Sequence, residues 1–152
     1  MKLTVPIGPV GVASNFLMCN SNQACEVGWA EKLPPTCPPS HSVSTAGEAL
    51  CRFLVKKKPA ATDFVAKPAS GDDCKNYALS LWPEEGAIAL LKLPYFKGKF
   101  RGRLCVTLVP GAGVLTSGMS GRYGFRHYSW WKCAAFDPMP PRAKTSAAKP
   151  GR

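Results

Sequence analysis

Glycine at 14 positions and proline at 15 punctuate a chain of 152 residues. Proline fixes φ and removes a backbone donor, and glycine readily takes conformations that end a helix or strand. With nearly a fifth of the chain so occupied, long helices are excluded, and short elements joined by many turns are required. The length corresponds to one domain, and 45% hydrophobic residues provide for a real core. The expected fold class is α+β: a small mixed domain with short strands, two short helices and irregular Pro/Gly-rich termini.

Residues 1–45 read as an irregular arm, because LPPTCPPS at 33–40 can be neither helix nor central strand. A compact domain is expected over 46–137, with a basic, proline-rich, mobile tail over 138–152. Inside the domain, STAGE (44–48) reads as a short helix start and ALCRFLVKK (49–57) as a strand. KPAATDF (58–64) reads as a turn entering a helical turn, capped by Thr62 or Asp63. PASGDDCKN (68–76) is expected to be loop and YALSLW (77–82) a strand. In PEEGAIALLKLPYF (83–96), Pro83, Glu84 and Glu85 suit a helix N-terminus, and the helix should stop at Pro94. GRLCVTLVPG (102–111) alternates as a strand, GAGVLTSGMSG (111–121) reads as a flexible glycine-rich connection, and FRHYSWW (125–131) as the last strand.

Charge is placed asymmetrically. Met1–Leu91 carries eight Lys/Arg against eight Asp/Glu, whereas Lys92–Arg152 carries twelve Lys/Arg against Asp137 alone, which accounts for the net +11. The C-terminal part should favour an anionic partner: a nucleotide, a nucleic acid, or an acidic protein such as a cognate inhibitor. Seven cysteines show no C-x-x-C pair, and with two histidines they offer no zinc spacing, so no metal is predicted. The N-terminus is interrupted by Pro6, Gly8, Pro9 and Gly11 before any signal-like apolar run, and the longest apolar run is too short to span a bilayer. These features read as a cytoplasmic or otherwise intracellular protein with mostly reduced thiols.

Three groups of residues could carry chemistry. In the RYGFRHYSWWKC segment (122–133), a strand would put His127 and Ser129 on one face, an imidazole beside a hydroxyl, with Arg126 and Tyr128 on the other. Arg52 stands alone in an apolar strand, where it must reach solvent or hold an anion or carboxylate. Lys97, Lys99, Arg101 and Arg103 alternate, so a strand would show all four on one face. With Arg122, Arg126 and the interleaved aromatics they form the pattern that single-stranded nucleic acid or RNA asks for. Each group also has a plain structural reading, as core aromatics, a paired arginine and a solvated face.

LCRFLV (50–55), PAATDF (59–64), LSLWPEEGAI (79–88) and HYSWW (127–131) together resemble a group of small uncharacterised bacterial toxin-like domains related to ADP-ribosyltransferases. That resemblance implies an NAD pocket in which Arg52 supplies the basic residue, Ser80 the hydroxyl and His127 the late polar group, helped by Tyr128 or Ser129. The resulting expectation is a domain that binds a phosphate-bearing nucleotide such as NAD and transfers or hydrolyses it. The alternative is a non-enzymatic basic subunit that binds RNA or a larger assembly.

Overall fold

The computed structural model describes residues 25–67, 71, 73–119 and 122–140. Among these residues six strands and two helices follow in the order β1 (Val43–Ser44), β2 (Glu48–Leu54), β3 (Leu79–Leu81), α1 (Glu84–Leu91), α2 (Pro94–Lys99), β4 (Gly102–Leu108), β5 (Gly113–Met119) and β6 (Arg126–Lys132). The fold is α+β. One sheet runs β1-β5-β6-β3 and the other pairs β2 with β4, every pairing being antiparallel. A two-way backbone bridge between Cys51 and Trp82, with N···O distances of 2.7 and 3.0 Å, stitches the sheets together.

β2 is the hinge of the packing because both its faces are covered. Leu50 enters one core cluster with Leu79, Leu81, Val106, Leu108, Leu115 and Trp130. Cys51 and Phe53, alternating with it, enter a second cluster under the helices with Ala87, Leu90 and Phe96. A strand buried on both faces reads as a nearly continuous apolar run, and ALCRFL is one, with Arg52 as the exception.

Several expectations need correction. STAGE forms no helix: Thr45 donates its hydroxyl to Val109 O at 2.8 Å and its N–H to Gly113 O at 3.0 Å, and Gly47 turns the chain with φ +102° into β2. α1 does end ahead of Pro94, at Leu91, but Pro94 then starts α2 from its first position, where its missing N–H costs nothing. Tyr77 closes a 3-10 turn, Cys74–Tyr77, so β3 begins only at Leu79. Asp63 reaches back from inside its 3-10 turn to Ala60 N, at 2.8 Å, instead of starting the turn. Lys97, Lys99, Arg101 and Arg103 do not share a strand face, since the first two lie in α2, Arg101 in the bend after it and Arg103 in β4.

The glycine-rich connection is β5, paired with β6 from Gly113↔Lys132 to Met119↔Arg126. Gly113, at φ +147°, lies so close to Trp131 O and Trp130 Nε1 that a Cβ there would collide with both. Glycine here permits close packing between strands.

The six cysteines among the described residues are not reduced. Cys25–Cys133, Cys37–Cys74 and Cys51–Cys105 are disulfides, spanning 108, 37 and 54 residues. The first two fasten residues 25–45 to the sheet and to the turn before β3, and β1 adds that segment to β5. Cys51 and Cys105 face each other directly in the β2–β4 register. Cys19, most of the N-terminal arm and residues 141–152 of the tail lie outside the described residues. Of the rest of the tail, Pro138 is buried and Met139 packs on the first core cluster. Among the described residues no helix is long and apolar enough to cross a membrane.

Candidate functional site

Alternation along β2 aims Arg52 to the side of Leu50, at the edge of the first core cluster. Its Nε donates to Asp63 O at 2.8 Å and its Nη1 to Ser80 O at 3.1 Å. The Asp63 carboxylate is used elsewhere, accepting from Ala60 N and Val55 N at 2.8 and 3.3 Å. Arg52 is thus held by two neutral carbonyls, and the only ion pair among the described residues is Arg103–Glu84, at 3.0 Å. Burial pulls the Arg52 pKa below its ordinary value and the nearby Asp63 charge pulls it back up. The guanidinium remains a cation at neutral pH.

Arg52 and Ser80, expected together, do line one cavity of about 270 Å³. Thr62, Lys67, Asn76 and Phe100 also border it. Of the five guanidinium N–H donors two are engaged, and the other three have no partner among the described residues.

His127 is placed elsewhere. It lines a second cavity, about 260 Å³, with Trp82, Leu90, Phe96 and Tyr123, and its ring centroid is 4.9 Å from that of Trp82. Burial, and secondarily the charge of Lys75, lowers its pKa, so the imidazole is neutral at physiological pH. The Trp82 indole N–H is buried without an acceptor. Ser129 is half-buried and directly opposite Ser80 in the β3–β6 register, whereas Tyr128 lies opposite Leu81 and packs against the first core cluster. The residues expected to form one pocket therefore divide into an Arg52–Ser80 cavity, a His127–Trp82 cavity and a core-facing tyrosine.

The basic residues converge better than the sequence suggests. Lys97, Lys99, Arg101, Arg103, Arg122 and Arg126 are all exposed. Arg101 N donates to Leu54 O at 2.8 Å, which brings the end of α2 beside the exposed Lys56–Lys58 run leaving β2. On the other side Phe96 meets Tyr123 edge-on at 5.3 Å, drawing the Arg122 turn against α2. Cations sit over the rings at this rim: Lys99 over Tyr95 and Phe100, and Arg122 over Tyr123, each between 5.4 and 5.7 Å from the centroid. Tyr95 is 61% exposed, and Phe100 and Tyr123 are half-buried.

Sequence reasoning missed Lys56–Lys58, assigned in part to the strand, and the ring surface of Tyr95. Only the K-K-K run was a signal for them. It also missed a third cavity, about 400 Å³, lined by Glu31, Phe64, Lys132, Asp137 and Met139. Burial lowers the Lys132 pKa, the charges of Asp137 and Glu31 raise it, and its Nζ donates to Cys133 O and Phe136 O. Among the described residues no group of three or more His, Cys, Asp or Glu could hold a metal ion. No family model matches the chain, and neither does any curated protein or solved structure.

Proposed function

We propose that the protein binds single-stranded nucleic acid along the rim formed by Lys56–Lys58, α2 and the Arg122 turn. One observation carries this reading: exposed cations from three separate stretches of chain meet around partly exposed rings, with a single carboxylate, Glu84, paired among them. Backbone phosphates supply the charge that this rim lacks, and Tyr95, Phe100 and Tyr123 offer faces on which bases can stack. The three disulfides favour an oxidising compartment as the place of action, in place of the cytoplasm. Stepwise neutralisation of Lys97, Lys99 and Arg101 to Gln tests the reading by fluorescence anisotropy with an oligouridine. Affinity should fall at each step, and the slope of log K against log salt should shrink by about 0.7 for every phosphate no longer neutralised. Unchanged affinity in the triple variant contradicts it.

A second reading, a toxin-like site that binds NAD or another phosphate-bearing nucleotide and transfers or hydrolyses it, draws on Arg52 and Ser80 lining one cavity. The cavity is smaller than the roughly 300–1,000 Å³ of ordinary ligand sites, and His127 borders a different one. Purified wild type incubated with NAD decides this reading: release of nicotinamide that depends on Arg52 supports it, and full recovery of NAD opposes it.

A further inference from the structure

We infer that the Arg52 cavity is a socket for one terminal phosphate of a strand lying on the basic rim, an inference that rests on the nucleic-acid reading above. A half-buried guanidinium that meets two carbonyls, with the Asp63 charge nearby but no carboxylate within 4.0 Å among the described residues, is only partly compensated for its desolvation. An anion in the cavity completes it. A phosphate presents oxygens to which the uncommitted N–H groups can make charge-assisted bonds, and arginine's planar fork suits that geometry better than an ammonium would. Lys67, Thr62 and Ser80 border the same space, as does Asp63, whose carboxylate is engaged by Ala60 N and Val55 N.

Size favours a chain end. About 270 Å³ admits a phosphate group but not a nucleotide with its neighbours, and β2, the Thr62–Lys67 segment, the Asn76–Ser80 segment and Phe100 line this half-open space. An internal phosphodiester needs room for chain to enter and to leave. A terminal phosphomonoester needs one opening and carries more charge.

The socket also adjoins the rim. Phe100 and Val55 line the cavity, Lys99 stands over the Phe100 ring, and Val55 precedes the exposed Lys56. A strand stacked along the rim can therefore turn its last phosphate inward past Phe100.

The test compares three oligouridines of one length, bearing a 5′-phosphate, a 3′-phosphate or neither, by anisotropy with the full chain, disulfides intact. One phosphorylated form should bind about tenfold tighter than the unphosphorylated one, as charge-assisted hydrogen bonds to a single group allow. The gap should close in Arg52→Gln and narrow in Arg52→Lys, with folding of both checked by circular dichroism. Millimolar inorganic phosphate should close it for the wild type too, a readout that needs no variant. Equal binding of all three oligonucleotides overturns the socket while leaving the rim intact. If none binds, the nucleic-acid reading falls and the socket with it.

Discussion

Arg52 and Arg103 sit one step apart on paired strands, Arg52 opposite Leu104 and Arg103 opposite Phe53, yet they live in different physical regimes. Arg103 points outward into a rim of exposed cations and pairs with Glu84 in water, where such a pair contributes little. Arg52 points inward to the edge of an apolar core and is fixed by two carbonyls. The contrast separates two uses of positive charge. Exposed, unpaired cations cost the fold almost nothing and are available to a polyanion. A half-buried cation is costlier, and Arg52 offsets that cost by donating to Asp63 O and Ser80 O beside the Asp63 charge.

Four changes probe that contrast. Loss of the Cys51–Cys105 disulfide, which locks the two strands bearing these arginines, is the most severe: replacing both cysteines by alanine should lower the free energy of unfolding by about 2–5 kcal/mol in urea titration. Arg52→Leu should come next, at about 1–3 kcal/mol, because Asp63 O and Ser80 O lose their donor in a part-buried setting. Arg103→Leu, one residue along, should cost no more than about 1 kcal/mol by the same titration. A loss as large as that of Arg52→Leu would erase the distinction between the regimes.

The fourth change is the mildest and concerns pH. Burial and Lys75 hold the folded imidazole of His127 below its unfolded pKa of about 6.5. Its neutral form is therefore favoured by folding, so this contribution is complete above about pH 6.5 and is lost as pH falls through that value toward the lower folded pKa. The melting temperature should decline less between pH 7 and pH 5 in His127→Gln than in the wild type. Identical declines would mean that the ring sits in water.

The parts of the fold governed by local chemistry are legible in the sequence. Pro83, Glu84 and Glu85 mark the start of α1, a short apolar run of β formers marks β2, and alternation marks β4 and β6. Where one residue type serves two purposes, legibility fails. Pro94 reads as a stop although proline also starts helices, and the glycines of β5 read as flexibility although Gly113 is there for close approach to Trp130 and Trp131. The disulfides leave no local trace because their partners lie 37 or more residues apart. For the candidate site, the oddity of Arg52 and the density of cations after Lys92 are visible from composition and pattern. That Arg52 shares a cavity with Ser80, and that His127 packs on Trp82 in another, depends on the β2–β3 bridge and on β3–β6 register, which no stretch of sequence encodes alone.

The central claim is that charge and rings act together on the rim. The most direct measurement is the affinity of the wild type, at several salt concentrations, for single-stranded oligouridine, a duplex of equal length and heparin. The single strand should bind tightest when phosphate or sulfate number is matched, with the preference surviving at high salt because stacking on Tyr95, Phe100 and Tyr123 is not screened. Equal affinity for all three polyanions, vanishing together as salt rises, would contradict the account and reduce the rim to a charged surface without a reading function.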